Sequence, residues 1–565
     1  MLDFYSVARY GVYTLGVLVL SIVLNAIHQI LPKKKSEPPM VWHWIPFVGN
    51  AVEYGTDPLA FYTRSARLHG PIFTFILLGQ KMTVYLGTDG NEFILNGRLQ
   101  DVNTEEIYGP LTTPVFGRNI IYDCPNSKLM EQKKFVKFGL SQRALEQHVP
   151  LIEHEVLSYI SSSNSSINRH SPFDGLRGEL DITHTMAEIT IFTAGRALQG
   201  AEVRSKLTNE FAVLYDDLDR GFRPINFLIP WAPLPRNWAR DRAHKVMTGV
   251  YMDIISRRRK ARGVNLGGKN GEGEDKDKTG IVGRGAEGEG DEDMIDNLMG
   301  CRYKSGDRIP DIEVAHLMIT LLMAGQHSSS SSSSWIMLRL ASRPDIVEEL
   351  YAELKEANLD TSRDGKGEWR GLQYGDLEKL PLLGNVVKET LRCHSSIHSV
   401  MRKVKNDMPV PGTDFVVTTD KVLVASPIVT HMSPEYFERP EVWDPHRWDA
   451  VVNDLDANPD ADVDVNIKGG QADGKAETID YGYGTVNKGT RSPYLPFGAG
   501  RHRCIGEKFA YVNLCTIVAT LVKEFTWGVA EGRGEGEVPD TDYSSLFSRP
   551  MPGARVRWER RVKTE

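Results

Sequence analysis

The sequence is poor in cysteine and carries no large excess of charge of either sign. Its five cysteines form no paired framework, and they stand at positions 124, 301, 393, 504 and 515 of 565. Such an odd, sparse set does not build a disulfide scaffold, fits a reducing compartment and leaves each thiol available for chemistry. The net charge of −7 argues against nucleic acid as a main partner. No glycine motif typical of a nicotinamide or flavin nucleotide site is present.

Internal repeats are also lacking, and two segments are short of apolar residues. Residues 267–293 are rich in Gly, Glu, Asp and Lys, and residues 451–488 begin with closely spaced aspartates. We interpret both as surface insertions rather than domain linkers. Helical periodicity dominates from about Pro58 to Ser342 and from Asp376 to Cys393, whereas PIFTFILLG, KMTVYLG and KVLVAS are typical of short strands. These patterns predict a mainly α fold with small β-sheets.

About twenty mostly apolar residues stand near the N-terminus, from Gly11 to Leu31, and PKKK follows them. This length suits a single transmembrane helix. A signal peptide is the main alternative, although no small-residue cleavage site follows the run, and a helix lying on the membrane surface is another. The lysines at 33–35 would keep the bulk of the chain on the cytosolic side. We therefore predict an anchor over residues 1–35 and one large domain over residues 36–565.

The stretch from Ala324 to Trp335 reads AGQHSSSSSSSW and holds seven consecutive serines. Low-complexity sequence of this kind is commonly a solvated linker. Here one apolar run leads into the serines and another leads out of them, which instead favours a helix that crosses the interior and needs small hydroxyls there. The choice between these interpretations depends on the rest of the chain.

A second informative stretch, PYLPFGAGRHRCIGEKFAYVNLC, places Cys504 between a glycine-rich turn and a run with helical spacing. The cysteine is predicted to stand at or just before a helix N-terminus, where N–H groups and the helix dipole stabilise a thiolate. Arg501, His502 and Arg503 add positive charge beside it. Such a thiolate could act as a nucleophile, a redox thiol or a metal ligand, although a zinc site would want further ligands at short spacing.

The spacing of Phe497, Gly500, Cys504 and Gly506 resembles the F-x-x-G-x-x-x-C-x-G signature of the cytochrome P450 superfamily. The resemblance implies a cytochrome P450 fold and a haem b whose iron takes the Cys504 thiolate as its axial ligand. Such a ligand favours cleavage of the O–O bond. The loop glycines, Gly498 among them, would let the loop approach the porphyrin beside Phe497. His502 departs from the arginine that is usual in the superfamily.

Two further motifs agree with this resemblance in order and type. KETLRCH supplies Glu389 and Arg392, which alone would be a common surface ion pair on one helix face. FERPEVWDPHRW supplies Arg447, which matches the third member of the superfamily's Glu-Arg-Arg network. We interpret this network as structural, holding the cysteine loop in place.

The serine run also finds a place in the resemblance. Residues 324–328, AGQHS, fill the positions of the A-G-x-x-T motif on the long helix over the distal haem face. Pro310 and Asp311 suit the start of that helix, and Pro344 follows its end. The resemblance thus favours a helix over a linker, with Ser328 keeping the hydroxyl of the more usual threonine and most later serines serving packing.

His327, together with residues 107–135, 221–227 and 395–404, resembles the fungal sterol 14α-demethylase branch of the superfamily. This resemblance implies a proton relay through Ser328, His327 and Asp219, since imidazole titrates near neutral pH. It implies that the haem propionates are bound by Tyr108, Tyr122, Lys133, Arg402 and His502. It implies a sterol cavity lined by Tyr108, Leu111, Thr112, Phe116, Ile121, Tyr122, Phe222, Phe227, Met323, Ala324, Ile397, His398, Ser399 and Leu546.

The reaction implied is removal of the 14α-methyl group of lanosterol or eburicol by three successive oxidations that use O₂ and NADPH and release formate, in ergosterol biosynthesis. Electrons would come from a separate NADPH-cytochrome P450 reductase. Azole inhibitors would bind the open iron position, and the catalytic domain would face the cytosol from the endoplasmic reticulum membrane. A monooxygenase for another lipid or xenobiotic, a haem-thiolate isomerase or dehydratase, and a non-catalytic haem or sterol binder remain as alternatives.

Overall fold

The computed structural model describes residues 4–31, 34–161, 171–207, 209–223, 225–266, 293–357, 359, 369–449, 478–480, 485–487, 489–532, 534, 536–545 and 547–561. The two predicted insertions therefore lie almost wholly outside the described residues. Leu546, predicted to line the sterol cavity, lies outside them as well.

Helices account for most of the described chain, as the sequence predicts. In chain order they are α1 (Phe4–Ile30), α2 (Ala51–Thr56), α3 (Pro58–His69), α4 (Gly87–Leu95), α5 (Glu105–Phe116), α6 (Asn126–Lys137), α7 (Gln142–Ile160), α8 (Ile182–Gln199), α9 (Ala201–Lys206), α10 (Asn209–Asp219), α11 (Ile225–Leu228), α12 (Pro235–Leu266), α13 (Met294–Gly300), α14 (Asp311–Ala341), α15 (Pro344–Glu356), α16 (Tyr374–Leu377), α17 (Pro381–Cys393), α18 (Pro427–His431) and α19 (Glu507–Glu524).

The strands are short and form small sheets. They are β1 (Ile72–Leu77), β2 (Gln80–Tyr85), β3 (Val102–Asn103), β4 (Arg177–Asp181), β5 (Val400–Val404), β6 (Met408–Pro409), β7 (Val416–Val417), β8 (Lys421–Ala425), β9 (Thr478–Asp480), β10 (Thr485–Asn487), β11 (Phe525–Val529), β12 (Thr541–Asp542), β13 (Arg549–Pro550) and β14 (Arg555–Arg560). The largest sheet has the order β1-β2-β8-β5-β3, and a second has the order β11-β14-β4. The predicted mainly α fold with small β-sheets is confirmed.

The sheets show which strand predictions could be made locally. β1, β2 and β8 coincide with the three predicted strand segments, and each has a run of buried residues. β4 pairs with β14 although the two are far apart in sequence, with Leu180 opposite Val556. Its sequence, RGELD, has no apolar alternation, so the strand depends on its partner rather than on its own pattern. The sequence alone therefore gave no signal for β4.

The long helix α14 runs through the serine segment without a break. It begins at Asp311, directly after Pro310, and ends at Ala341, before Pro344 opens α15. It packs on α8, α12, α17 and α19, so it is buried on almost every side. Five of the seven serines are buried: Ser329, Ser331, Ser332, Ser333 and Ser334. The preference of serine for turns is outweighed here by burial of the apolar residues on both sides, and the predicted helix is confirmed.

The N-terminal helix α1 stands apart from this core. Tyr13–Ile30 has a mean hydropathy of 1.6 and none of it is buried, so α1 is long and apolar enough to span a membrane. Its C-terminal part is tied to the segment that follows. The side-chain amides of Asn25 and Gln29 donate to the carbonyl oxygen of His43, at 2.9 Å and 2.8 Å. Trp42 and Trp44 in that segment are exposed, as expected at a membrane interface.

Candidate active site

Cys504 lies in a tight loop directly before α19. Its N–H donates to the carbonyl oxygen of Phe497 at 3.0 Å, which closes the loop on itself. Gly498 and Gly500 have φ of +67° and +66°, a conformation that disfavours other residues. A Cβ on Gly500 would lie 2.5 Å from the carbonyl oxygen of Leu95, whereas a Cβ on Gly498 would meet nothing within 4 Å. The loop therefore packs on the protein at Gly500 and leaves open space at Gly498.

The Cys504 side chain is accessible, yet enough protein surrounds it that burial raises the pKa of its thiol. The N–H of Gly506 works in the opposite direction, as a helix N-terminus should. An accessible sulfur within a protein surround is the situation of a group that lines an internal cavity. A coordinating metal would offset this shift, because it deprotonates a thiol outright.

One expectation about this loop needs correction. Arg503 does not act as free positive charge beside the thiol, because its guanidinium makes a two-bond ion pair with Glu507, at 2.8 Å and 2.7 Å. Glu507 raises the pKa of Cys504 more than Arg503 lowers it. The guanidinium of Arg501 is also engaged, since it donates to the carbonyl oxygen of Gly97. Lys133, which is distant in sequence, supplies positive charge that lowers the pKa of the thiol.

Cations from two separate elements converge beside the cysteine loop. Lys133 of α6 donates to the carbonyl oxygens of Arg501 and Arg503, at 2.9 Å and 3.3 Å. Arg402 of β5 is buried, and its guanidinium donates to the carbonyl oxygen of its neighbour Met401 at 2.8 Å. Neither Lys133 nor Arg402 forms an ion pair with a carboxylate among the described residues. Buried cations are normally paired, so this cluster suits anionic groups that the chain itself does not supply.

The pKa of His502 also reflects the excess of positive charge in this region. Burial lowers its pKa to about 3, and the cations Arg402, Lys133 and Arg501 add to the shift. Its Nε2 lies 3.2 Å from Oγ1 of Thr104, a contact that sequence reasoning missed because Thr104 carries no distinguishing motif. His502 is therefore a neutral imidazole that can still donate or accept one hydrogen bond towards the cluster.

Two tyrosines lie beside Lys133, Arg402 and His502. The rings of Tyr108 and Tyr122 stack at 5.2 Å, and burial raises the pKa of Tyr122 to about 12. Tyr108 accepts the N–H of Met401 at 3.0 Å, which joins α5 to β5. Ile121, beside Tyr122, has φ of +51°, a strained backbone for a β-branched residue. Its N–H is held by Oε1 of Gln132 at 3.2 Å. The structure thus brings all five predicted propionate ligands to one region.

The middle of α14 supplies the opposite side of the candidate site. Ala324 is exposed although its neighbours Leu322 and Met323 are buried, so the helix borders open space there. A Cβ on Gly325 would lie 3.6 Å from Leu198, which is an ordinary van der Waals contact. The hydroxyl of Ser328 donates to the carbonyl oxygen of Ala324 at 2.9 Å. The hydroxyl is therefore hydrogen-bonded within its own helix, one turn after the exposed residue Ala324.

His327 and Asp219, predicted to form a pair, lie together. Nε2 of His327 is 3.2 Å from Oδ1 of Asp219, and both side chains are mostly buried. The two groups are close but not aligned as a hydrogen bond, and Nε2 has no other hydrogen-bond partner among the described residues. Burial lowers the pKa of His327, and Asp219 acts against that shift. A small rotation would make this contact a proton-transfer bond.

Most of the residues predicted to line a sterol cavity fall into three groups that differ in exposure and position. Ala324 and Ile397 are exposed and border open space. Thr112, Phe116, Ile121, Phe222 and Phe227 lie around α5 and the turn after α10, with the rings of Phe116 and Phe222 5.6 Å apart. Leu111 and Met323 have no exposed surface and pack inside the main core.

His398 and Ser399 occupy a polar cluster with two tyrosines that the sequence did not single out. Ser399 Oγ lies 2.9 Å from the hydroxyl of Tyr62 and 3.3 Å from that of Tyr54. Nδ1 of His398 lies 2.8 Å from the same Oγ, and burial lowers the pKa of His398 to about 4. This cluster links the segment just before β5 to α2 and α3.

The predicted Glu-Arg-Arg network is present and fully buried at its centre. Glu389 and Arg392 have no exposed side-chain surface and form a two-bond ion pair, at 2.7 Å and 2.9 Å. Arg447 donates to Glu389 at 3.0 Å, and the indole N–H of Trp448 donates to the other carboxylate oxygen at 3.1 Å. Glu389 therefore organises α17 and the turn that carries Arg447.

His431 connects this network to the cysteine loop. Arg392 donates to the His431 carbonyl oxygen at 2.8 Å, and Nε2 of His431 accepts the N–H of Leu495 at 2.8 Å. Burial lowers the pKa of His431 to about 3, so the ring is neutral and Nδ1 carries the proton toward Ser395, 3.0 Å away. Leu495 stands two residues before Phe497. Sequence reasoning missed His431 because an isolated histidine in SPIVTHMSP gives no signal.

These observations fit a dianionic planar cofactor bound through sulfur. The thiol of Cys504 is accessible, Gly498 leaves space in front of the loop, and Lys133 and Arg402, which have no carboxylate partner among the described residues, lie to one side. Haem has two propionates and an iron that accepts a thiolate, so the residues present match it in both respects.

Comparison with known proteins agrees with this geometry. The family model described as Cytochrome P450 matches residues 39–557, nearly the whole chain. The chain belongs to the cytochrome P450 family. A solved member, a cyanobacterial CYP120A1 with retinoic acid bound, superposes with a TM-score of 0.68 over 94% of this chain and 100% of its own. Because the two sequences are only 18% identical, this structural similarity supports the fold and nothing beyond it. The predicted P450 fold is thus confirmed, and a haem-thiolate centre follows from the family.

Curated relatives are much more similar in sequence to this P450. Sterol 14-alpha demethylase CYP51A of Gibberella zeae is 57% identical, over 98% of this chain and 99% of its own length. Sterol 14-alpha demethylase cyp51A of Aspergillus fumigatus is 55% identical over 96% of each chain. The eburicol 14-alpha-demethylase of Penicillium italicum is 55% identical, over 97% of this chain and 96% of its own. The resemblance stated from the motifs is confirmed.

Proposed function

We propose that this P450 removes the 14α-methyl group of lanosterol or eburicol as a step of ergosterol biosynthesis. The observation that carries the proposal is the convergence of Cys504, a buried cation cluster and the His327–Asp219 contact in a chain whose relatives are sterol 14-alpha demethylases. The cavity wall is aromatic and aliphatic, as a flat, apolar substrate requires.

In this proposal the thiolate of Cys504 would hold the haem iron. The propionates would be held by Lys133, Arg402, His502, Tyr108 and Tyr122. Phe497 and Gly498 would contact the porphyrin. When bound, the haem-thiolate supplies activation of O₂ and transfer of one oxygen atom at a time. The rest of the chain positions the sterol, excludes water and moves protons.

Protons are moved along α14 in this proposal. The carboxylate of Asp219 exchanges a proton with Nε2 of His327, and the imidazole passes a proton on toward the hydroxyl of Ser328. The Ser328 hydroxyl leaves the carbonyl oxygen of Ala324, which it meets in this structure, and turns its proton to the cavity side. Three such cycles convert the methyl carbon to alcohol, then aldehyde, then formate, and leave a 14,15 double bond. Each cycle uses one O₂ and two electrons.

The electrons would come from NADPH through a separate NADPH-cytochrome P450 reductase, and azole inhibitors would bind the haem through a ring nitrogen. α1 anchors the protein in the endoplasmic reticulum membrane with the catalytic domain, residues 36–565, on the cytosolic side. Alkaline extraction of membranes from cells that express the full chain or a chain starting at residue 36 tests the anchor. Release of the full chain into the soluble fraction would contradict it.

Sterol turnover by the reconstituted holoenzyme tests the reaction. The full chain is combined with a reductase, NADPH and either eburicol or lanosterol, and the products are identified by mass spectrometry. We expect 14-demethylated sterol and one formate for each sterol consumed. Recovery of unchanged sterol from a preparation that shows the spectrum of a thiolate-ligated haem would contradict the proposal.

A Ser328→Ala variant tests the relay, with Ser334→Ala as its matched control. Ser334 donates only to the carbonyl oxygen of Ser330 on its own helix and is buried away from the cavity. Losing a proton-transfer group costs about 10²-fold or more, so we expect product formation to fall in S328A while peroxide release rises. S334A should match the unsubstituted enzyme. Equal turnover in both variants would remove Ser328 from the relay.

A further inference from the structure

Tyr215 forms a buried tie between α10 and α14 that the relay described above does not include. Its hydroxyl donates to Oε1 of Gln326 at 2.5 Å, and both side chains are buried. Nε2 of Gln326 donates in turn to the carbonyl oxygen of Ala187 on α8 at 3.4 Å. One side-chain amide thus connects α10, α14 and α8. Buried polar pairs of this kind fix the relative position of the elements that carry them.

The same tyrosine also holds the imidazole of His327 in place. The His327 ring packs against two aromatic rings, that of Tyr215 at 5.1 Å and that of Phe547 at 5.4 Å, with interplanar angles of 33° and 21°. Phe222 meets it edge-on at 6.3 Å. Rings packed in this way restrict how far the imidazole can tilt, so they help to keep Nε2 close to one plane.

Tyr215 and Asp219 are four residues apart on α10, and Gln326 and His327 are adjacent on α14. Residues four apart lie on one face of a helix, so Tyr215 and Asp219 reach α14 together. α10 packs chiefly on α12, and its side chains Tyr215 and Asp219 contact α14. The Asp219–His327 contact, at 3.2 Å and not aligned, is the weaker of the two.

We propose that Tyr215 is a positioning residue, whose bond to Gln326 keeps α10 seated so that Asp219 stays within proton-transfer distance of His327. This inference rests on the proposed function, because the relay gives the seating its purpose. Tyr215 touches neither cofactor nor sterol in this role. A displacement of about 1 Å in a proton-transfer group can cost 10²-fold in rate, so the seating of α10 matters even though Tyr215 transfers no proton.

The charged groups that face His327 determine the sign of the pH effect. Asp219 and Asp216 of α10 raise its pKa, whereas burial and Arg549 of β13 lower it. If α10 moves away, the carboxylates withdraw and burial and Arg549 remain, so the protonated fraction of His327 falls at neutral pH. Lowering the pH should then restore protonation. A loss of fold would not produce this recovery.

Tyr215→Phe tests the inference, and Tyr251→Phe is its matched control. Tyr251 is equally buried and donates to Oε1 of Gln199 at 2.5 Å, between α12 and α8, with no contact to His327. Both variants keep the ring and lose one buried tyrosine–glutamine bond. Gln326→Leu removes the same tie from the other side. Its effect and that of Y215F should not add in the double variant, since residues in contact couple.

With the reconstituted holoenzyme we expect kcat for Y215F at neutral pH to fall about 10-fold, with KM unchanged and the loss partly recovered at lower pH. Y251F should keep the kcat and pH profile of the unsubstituted enzyme. Hydrogen–deuterium exchange, which needs no turnover, should show faster exchange over residues 209–219 in Y215F and not in Y251F.

The outcomes separate the two proposals. Unchanged sterol with the unsubstituted enzyme and reductase would overturn the proposed function, and this inference with it. Demethylation by the unsubstituted enzyme and Y251F, together with a Y215F variant that matches them in kcat, pH profile and exchange, would overturn the Tyr215 inference alone. Equal losses in Y215F and Y251F would assign both bonds to general stability and also overturn it.

Discussion

At the scale of single residues, Lys133 offers a test of the cofactor site. It is a partly buried cation without a carboxylate partner among the described residues, and burial lowers its pKa. Lys133→Met should weaken haem binding about 10-fold, the lower end of the effect of losing an outer-shell partner. Haem transfer to an excess of a haem-scavenging protein measures the loss.

The exposed neighbour Lys134 provides the control for this test. Lys134→Met changes the same charge one residue away and should leave haem transfer unchanged. Equal transfer rates for the two variants would separate Lys133 from the propionates. The comparison also distinguishes a local effect from a change in net charge.

Glu389 is the residue on which the buried network depends. Glu389→Gln leaves Arg392 buried without a carboxylate, and breaking such a pair costs about 3–5 kcal/mol. Glu53→Gln removes an ion pair with Arg64 whose side chains are both more than half exposed, and should cost less than about 1 kcal/mol. Urea unfolding followed by the haem absorbance and by far-UV circular dichroism measures both. Similar midpoints for the two variants would contradict the structural role of the network.

His398 makes a prediction about acid. Burial lowers its pKa to about 4, against about 6.5 in the unfolded chain. Below pH 6.5 the unfolded state therefore binds a proton that the folded state does not, and stability falls as the pH drops toward 4. His398→Gln removes this contribution, so its stability relative to the unsubstituted protein should rise by up to about 1.4 kcal/mol per pH unit in that window. Parallel unfolding midpoints at pH 7, 6 and 5 would contradict it.

At the scale of elements, the serines of α14 are not equivalent. Ser331 Oγ donates to the carbonyl oxygen of Ser548 at 2.6 Å, next to β13, and Ser548 donates back to the loop after α17 through Ser395 and Ser396. Ser334 bonds only within the helix. Ser331→Ala should cost about 1–3 kcal/mol because a buried bond between elements is lost.

Ser334→Ala is the control for this element, since alanine favours helix over serine by up to about 0.5 kcal/mol. Its unfolding midpoint should be unchanged or slightly higher than that of the unsubstituted protein. Thermal unfolding of the holoproteins compares the two variants. A midpoint for S331A as high as that for S334A would show that the bond to Ser548 is not formed in solution.

At the scale of the whole molecule, sequence reasoning succeeded where a feature is local or carried by a motif. The limits of α14 were predictable from the prolines and apolar runs that flank it, and the cysteine before α19 and the Glu389–Arg392–Arg447 network were predictable from their motifs. The family assignment is confirmed by the comparisons. The individual roles of the site residues remain proposals.

Features that depend on packing between distant segments were not predictable. The pairing of Arg503 with Glu507 offsets the positive charge expected beside Cys504, and no motif distinguishes a paired arginine from a free one. The Tyr215–Gln326 bond joins residues over a hundred positions apart in the chain, and β4 exists because β14 lies beside it. Such contacts depend on tertiary packing between segments that are distant in sequence, and a single sequence shows no pattern for them.

The seven serines look interchangeable, yet their number is fixed by what lies at each end of the run. Upstream is His327 against Asp219, and downstream the Trp335 indole stacks on His394 at 3.8 Å. Each residue turns an α-helix by about 100°. Loss or gain of one serine would therefore swing Trp335 and everything after it a quarter of a turn or more out of register with His327. A tract that resembles a spacer of arbitrary length therefore sets the rotation between the two ends of α14, and it should not tolerate the insertion or deletion of a residue.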